Sequence, residues 1–104
     1  MIIAIDFDGV VHKYSKGWKG EDEVYDPPNE GAIEALTDLK NRGHRLVIFS
    51  CRPVKPIWKW LKEHKIDNLI SRVTNTKPIA KIYIDDRGYK FNSWEQTMSD
   101  LFTE

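Results

Sequence analysis

Four aspartates occur in two pairs, and each pair follows an apolar run of the chain. Asp6 and Asp8 follow the first run, and Asp85 and Asp86 follow the last one. Carboxylates that converge on one pocket raise each other's pKa unless a hard divalent cation relieves their repulsion. Mg²⁺ prefers one or two carboxylates together with waters and phosphate oxygens. If the two runs form neighbouring strands, the aspartates predict a site for a divalent cation such as Mg²⁺. The simpler alternative is that they only end strands and begin helices.

Short apolar runs of this kind are typical of strands that are buried on both faces, as in a parallel sheet. The strong runs cover 2–5, 46–49 and 82–84, and a weaker candidate covers 70–73. Each strong run leads into a polar residue that is suited to chemistry, namely Asp6, Ser50 or Asp85. Because ligands of parallel sheets bind at the carboxyl ends of the strands, these residues predict one shared site.

Three helices are predicted between and after the strands. The first has Asn29 as its N-cap and Gly43 just beyond its C-terminus, and the second covers 53–64. The third begins at Ser93, with Gln96 completing a capping box. The apolar face of the first helix is formed by Ala32, Ile33, Leu36 and Leu39.

Alternating strands and helices predict an α/β fold, specifically a three-layer α/β/α sandwich with a mainly parallel sheet and helices on both faces. The length of 104 residues predicts one domain, 1–104. Sixteen Lys and Arg residues balance sixteen Asp and Glu residues, which excludes a polycation that binds nucleic acid through bulk electrostatics.

The cysteine content points to a reducing compartment, and the hydropathy pattern bears on membrane insertion. The single cysteine, Cys51, excludes an internal disulfide and a cysteine-built zinc site, and we expect a partly buried free thiol. No apolar run approaches the roughly 20 residues of a membrane span. The N-terminus lacks the pattern of a signal peptide. We therefore expect a cytoplasmic protein without a membrane partner.

The segment 12–28, called the flap below, is polar and punctuated by glycine and proline, and we expect a long loop inserted in the domain. Its aromatic residues Trp18 and Tyr25 either stack on a substrate or pack the flap onto the body. His12 lies near the first aspartates and is a candidate for contact with substrate.

A basic stripe is predicted on the second helix, beside Trp58. The lysines at 55, 59 and 62 share one helical face, which suits either a nucleic-acid strand or plain exposure to solvent. The solvated face is the favoured interpretation, so nucleic acid is not the preferred partner.

The order of these features resembles the haloacid dehalogenase superfamily of phosphohydrolases and phosphotransferases. The first motif of that family is an apolar strand followed by D-x-D-G, here at 6–9, and the second is a strand ending in Ser or Thr, here Ser50. The third is a lysine, here the Lys-Pro pair at 77–78, and the fourth is a strand ending in acids, here 85–86. The resemblance implies a Rossmann-like core. The intervals between the motifs leave no room for the cap domain of larger relatives.

The resemblance also implies a role for each motif residue. Asp6 is the nucleophile that forms an aspartyl-phosphate, and Asp8 is the general acid for the leaving group and then the base for water. Ser50 donates a hydrogen bond to a phosphoryl oxygen. Lys77 neutralises phosphoryl charge, with Lys81 as its rival because it directly precedes the last strong strand.

The same family assignment implies the metal ligands. Mg²⁺ is bound by the carboxylates of Asp6 and Asp85 and by the main-chain carbonyl of Asp8. Asp86 acts through metal-bound water or supports the ligands without contacting the metal. A carboxylate attacks a phosphate dianion only if the negative charge is offset, which is the physical need for the cation.

The expected function is therefore Mg²⁺-dependent hydrolysis of a phosphomonoester, either a phosphorylated small molecule or the phosphate end of a larger substrate. One alternative is a phosphoacceptor signalling domain, in which the acceptor aspartate follows a middle strand, whereas the second strand here ends at Ser50. A second alternative is a binding or regulatory module that has lost turnover. A homo-oligomer, in which a partner subunit covers the site, is left open.

Overall fold

The computed structural model describes residues 1–76, 78–85 and 89–102, and it is built around a five-stranded sheet. The strands are β1 (Ile2–Asp6), β2 (Arg45–Phe49), β3 (Arg72–Thr74), β4 (Ile82–Asp85) and β5 (Tyr89–Lys90). The helices are α1 (Ala32–Asn41), α2 (Val54–Glu63) and α3 (Trp94–Phe102), with a short 3-10 helix at Asp67–Leu69.

All strand pairings are parallel, and the order across the sheet is β3-β2-β1-β4-β5. The predicted fold class is confirmed, because the domain is α/β and consistent with a three-layer α/β/α sandwich. The sheet is entirely parallel where the sequence predicted a mainly parallel one. None of the helices within the described ranges is long and apolar enough to cross a membrane.

One hydrophobic cluster joins the sheet to the helices. Ile3 and Ile5 of β1 are fully buried there in one cluster with side chains from all three helices. On the other face Ala4 is fully buried as well. The hydroxyl of Tyr83 on that face accepts the Ala80 N–H and donates to the Pro78 carbonyl, so the chain before β4 helps to cover it. Burial on both faces explains why β1 is an unbroken apolar run.

The first helix begins two residues later than the sequence predicted. Its N-cap is Gly31, with φ at +79°, and not Asn29. The Asn29 side chain instead donates to the Gly9 carbonyl at 3.3 Å and accepts the Glu30 N–H at 3.0 Å. The Asn29 side chain therefore connects the segment after the flap to the loop after β1. The sequence pattern of a helix cap did not predict this contact.

The buried face of α1 also differs by one position from the prediction. Ile33 is 39% exposed, and Ala35 is buried in its place. At the other end of the helix, Gly43 has φ at +90°, which confirms the predicted left-handed residue beyond the C-terminus.

The remaining elements follow the prediction with small shifts. Helix α2 has the predicted extent to within one residue, while β3 covers 72–74 where 70–73 was expected. Ser93 caps α3 by accepting the Gln96 N–H at 3.1 Å, but the Gln96 side chain bonds Asp100 and does not return to the cap. The two-residue strand β5 was not predicted, because it is too short to give an apolar run.

Candidate active site

The strand order brings the predicted chemical residues to one edge of the sheet. Strand β1 lies between β2 and β4, and Ile5 pairs with Ile84, so Asp6 and Asp85 are the next residues on adjacent strands. Ser50 directly follows β2 on the other side of β1. The predicted site depends on β1 and β4 being neighbours, and they are neighbours in the sheet. Asp6, Ser50 and Asp85 all lie at the carboxyl ends of strands.

The loop after β1 turns Asp8 toward the flap. Phe7, between the two aspartates, is fully buried and packs edge-on against Trp60, with ring centroids 5.1 Å apart. Asp6 accepts the Phe7 N–H through Oδ1 at 2.8 Å, which orients its carboxylate. Gly9 then reverses the chain with φ at +82°, a conformation that glycine adopts at little cost.

Asp8 is held by two side chains, one on each oxygen. Oδ1 lies 2.8 Å from Nδ1 of His12, and Oδ2 lies 2.8 Å from Nε of Arg52. Burial raises the pKa of Asp8, but the hydrogen bonds from His12 and Arg52 and the charge of Arg52 outweigh it, so the net pKa lies below its usual 3.8. The site therefore holds Asp8 as a carboxylate.

His12 is fully buried, and its tautomer follows from its partners. Its Nε2 accepts the main-chain N–H of Asp26 at 3.1 Å. Because that nitrogen accepts, the ring proton of a neutral imidazole is on Nδ1, which donates to Asp8. His12 is thus a buried histidine that hydrogen-bonds Asp8 and the flap, and its predicted contact with substrate stays a prediction.

Arg52 joins Asp8 to the flap. Its side chain is buried, and Nη1 donates to the carbonyls of Gly20 at 2.9 Å and Glu21 at 2.8 Å. The Trp18 ring covers the guanidinium carbon, 4.7 Å from the ring centroid. Nη2 has no hydrogen-bond partner among the described residues. The described residues therefore use only part of the donor capacity of this guanidinium.

The main chain at Arg52 also orients the predicted phosphate-binding hydroxyl. Its N–H donates to Oγ of Ser50 at 3.2 Å, which leaves the Ser50 hydroxyl proton free to donate elsewhere. Cys51, between these residues, is free and exposed, so the expectation of a partly buried thiol is wrong. In the turn after β2, the side chain that points into the protein is that of Arg52.

The acidic residues offer the oxygen donors that Mg²⁺ prefers. Asp85 is only 5% exposed at the end of β4, next to Asp6, so two carboxylates from adjacent strands fit a hard cation. Within the described ranges, no group of three or more His, Cys, Asp or Glu side chains is close enough to hold a metal. Asp86, predicted to act through metal-bound water or to support the ligands, lies outside the described residues.

The structure separates the two candidate lysines by position. Lys81 is exposed, and its N–H donates to the Ile2 carbonyl, so it lies beside the start of β1. That edge of the sheet is opposite to the carboxyl ends where Asp6 and Asp85 lie. Lys77, the favoured candidate, lies outside the described residues.

Some contacts of the flap lie within the flap itself. His12 and Pro28 form an antiparallel bridge at its base, and the Tyr25 hydroxyl donates to the Gly17 carbonyl at 2.7 Å. Tyr25 thus joins two parts of the flap to each other, and its predicted stacking on substrate stays a prediction. Trp18 remains 58% exposed above Arg52.

The basic stripe of α2 lines a groove that the flap closes on its other side. The groove has a volume of about 900 Å³, and its walls include Trp58, the lysines at 55, 59 and 62, and the acidic flap residues 21–23. Acidic side chains in the same groove oppose the approach of a phosphate backbone.

No protein-family model matches the chain, and no curated protein matches it. Among solved structures, it is similar to a conserved protein coded by a locus from Bacteroides thetaiotaomicron. The identity is 23% and the TM-score 0.71, over 97% of this chain and 88% of that one. This likeness supports the α/β fold over nearly the whole length.

The sequence did not reveal the contacts that fix Asp8. Arg52 is 44 positions from Asp8, and the two flap carbonyls it binds are more than 30 positions away. The only local signal was His12, four residues after Asp8. Long-range hydrogen bonds of this kind depend on the path of the flap, which no periodic pattern describes.

Proposed function

We propose that the protein is a Mg²⁺-dependent phosphohydrolase of the haloacid dehalogenase type, which cleaves a phosphomonoester through an aspartyl-phosphate on Asp6. The observation that supports this most is the placement of Asp6 between Ser50 and Asp85, at the carboxyl ends of three adjacent strands. A phosphoryl group there would meet a nucleophile, a hydrogen-bond donor and a second carboxylate suited to the cation.

In the first half of the proposed reaction, a carboxylate oxygen of Asp6 attacks phosphorus and the bond to the leaving oxygen breaks. Asp8, a carboxylate at rest, first takes a proton from solvent and exchanges one of its two hydrogen bonds for the leaving group, and it then gives the proton to that oxygen. Ser50 donates to a phosphoryl oxygen, and Lys77 offsets its charge. Bound Mg²⁺, held by Asp6, Asp85 and the Asp8 carbonyl, would supply charge neutralisation.

In the second half, Asp8 takes a proton from water as the water attacks phosphorus. The phosphate leaves, the Asp6 carboxylate is regenerated, and Asp8 returns the proton to solvent. The carboxylate state of Asp8 in the structure suits this step, because both of its oxygens accept hydrogen bonds. Phosphoryl transfer depends mainly on positioning and electrostatic stabilisation, which fixed side chains provide.

The phosphoacceptor alternative gains one observation from the strand order. β1 is the central strand of the sheet, so Asp6 does end a middle strand in space, although it is the first strand in sequence. What favours hydrolysis is Asp8, a general base two residues from the nucleophile. A phosphoacceptor domain would accumulate the acyl phosphate without releasing phosphate.

The test is turnover of a generic aryl phosphate with and without Mg²⁺. We expect slow, Mg²⁺-dependent release of phosphate that Asp6→Asn abolishes while the circular dichroism spectrum is unchanged. Asp38→Asn is the matched control, because Asp38 lies on α1 paired with Arg42, away from the strand ends. Wild-type rates in a folded Asp6→Asn protein would rule out the mechanism.

The substrate is proposed as a phosphorylated small molecule or the phosphate end of a larger molecule. We place the enzyme in the cytoplasm, since its one cysteine, Cys51, is free and needs no oxidising compartment.

A further inference from the structure

The Arg52 guanidinium connects three segments that are distant in sequence. It follows β2, it bonds Asp8 from the loop after β1, and it bonds the carbonyls of Gly20 and Glu21 in the flap. A buried cation is costly unless it is paired and hydrogen-bonded, so these contacts stabilise each other. Losing the flap contacts would leave part of the guanidinium buried without partners.

The other oxygen of Asp8 leads to the flap by a second route. His12 Nδ1 bonds Oδ1, while His12 Nε2 accepts the N–H of Asp26 near the end of the flap. Both oxygens of one carboxylate are therefore tied to the flap, one at 20–21 through Arg52 and one at 26 through His12. The position of the flap and the position of the Asp8 carboxylate are mechanically linked.

We propose that Arg52 is a positioning residue that locks the flap to Asp8, so that the flap must be in place for Asp8 to act on the leaving oxygen. The role of Asp8 in this proposal rests on the proposed phosphohydrolase function. The link between flap and carboxylate is a property of the fold and holds whatever the substrate is.

Only arginine can make this set of contacts. Its planar fork directs Nε toward the carboxylate while Nη1 reaches both carbonyls, and its flat face lies under the Trp18 ring. Lysine presents a single compact ammonium on a flexible side chain, so it can hydrogen-bond either the Asp8 carboxylate or the flap carbonyls but not both. Arg52→Lys therefore keeps the charge but breaks the connection.

Hydrogen exchange tests the link without any assay of activity. In Arg52→Lys we expect amides of the flap to exchange roughly tenfold faster, with those of α1 and β2 unchanged. Arg42→Lys is the matched control, because Arg42 also bonds an aspartate and stacks on a ring, those of Asp38 and Phe102, but far from the flap. Unchanged flap exchange in Arg52→Lys, or a uniform rise along the whole chain, would overturn the proposal.

Kinetics with a small aryl phosphate tests the positioning of Asp8. We expect kcat to fall by about 100-fold in Arg52→Lys, the effect of a misplacement of roughly 1 Å, with KM within about twofold of wild type. A loosened flap with wild-type kcat would contradict the positioning role. If the wild-type protein hydrolyses no phosphomonoester, the proposed function fails, and the exchange experiment still decides whether Arg52 holds the flap.

Discussion

Each oxygen of Asp8 is held by a different side chain, so this residue contributes to stability as well as to the proposed chemistry. Arg52 is its buried cationic partner. Removing one member of such a pair leaves a buried charge uncompensated, and we expect Asp8→Asn to lower the free energy of unfolding by about 3 kcal/mol at pH 7. Chemical denaturation of both proteins measures this difference.

The pH dependence of that difference follows from the direction of the pKa shift. The pKa of Asp8 is lowered below 3.8 in the folded protein, so its stabilisation is fully present above that pH. It is lost as the pH falls through the folded value, where the wild-type carboxylate also becomes neutral. The difference in free energy of unfolding between wild type and Asp8→Asn should therefore shrink in acid. A difference that stays constant from pH 7 to pH 3 would contradict the ion pair.

Residue types at strand ends could be predicted, but their partners could not. Asp6, Ser50 and Asp85 were identified because an apolar run followed by a polar residue is a local pattern. The roles of His12 and Arg52 depend on where the flap folds back, and that path is set by hydrogen bonds rather than by periodicity. Cys51 was misplaced for the same reason, since the direction of a turn residue is not encoded in its type.

At the scale of elements, the start of α1 is set by a close approach to α3. Gly31 has φ at +79°, and an added Cβ would lie 3.3 Å from Cβ of Trp94. Gly43, at the other end of the helix, has φ at +90° with open space around it. A residue with a Cβ would have a strained backbone at either position. Only at position 31 would the added Cβ also contact another side chain.

We therefore expect Gly43→Ala to lower the free energy of unfolding by about 1 kcal/mol, from backbone strain alone. Gly31→Ala should cost more, about 2 kcal/mol or above, because α3 must shift as well. Thermal or denaturant unfolding of the two variants gives the comparison. Equal losses would mean that the contact with Trp94 relaxes freely.

The flap leaves Trp18 as its exposed aromatic above Arg52. If this ring contacts the leaving group, Trp18→Ala should raise KM severalfold for phosphomonoesters with a large leaving group and change kcat little. Small aryl phosphates should be nearly unaffected. Trp18→Phe, which keeps an aromatic face, should lie close to wild type, and an unchanged KM with every substrate would show that Trp18 has no part in recognition.

Element types were predictable wherever the hydrophobic period was strong. The strong strands and α2 were placed to within about one residue, because burial on fixed faces imposes their pattern. The start of α1 was missed since Asn29, a typical cap, is used by the Gly9 carbonyl. Strand β5 has only two residues, and its pairing with β4 depends on the sheet around it rather than on its own sequence.

For the molecule as a whole, strand order decides which residues can act together. Placing β1 between β2 and β4 gathers Asp6, Ser50 and Asp85 at one edge and moves Lys81 to the opposite one. The Cα radius of gyration is 12.7 Å, close to the value of about 13 Å for a globular domain of this length. Hydrogen bonds from Arg52 and Trp60 to flap carbonyls make the flap part of the domain body.

Binding of Mg²⁺ should stabilise the whole domain, because a ligand that binds only the folded state shifts the unfolding equilibrium. We expect the Tm to rise by roughly 5–10 °C at saturating Mg²⁺. Asp85→Ala should abolish the rise, whereas Asp86→Ala should only reduce it, since Asp85 is the proposed direct ligand. A larger loss in Asp86→Ala would show that the ligands are assigned the wrong way round.

The central claim, a covalent phosphate on Asp6, is tested most directly by trapping it. The protein is mixed with an aryl phosphate and Mg²⁺, quenched, and treated with borohydride, which reduces an acyl phosphate and marks the residue that carried it. Peptide mass spectrometry should find the mark at Asp6 alone, dependent on both Mg²⁺ and substrate and unaltered by Asp38→Asn. Phosphate release by the wild-type protein with no mark at Asp6, or with the mark on another residue, would contradict the mechanism.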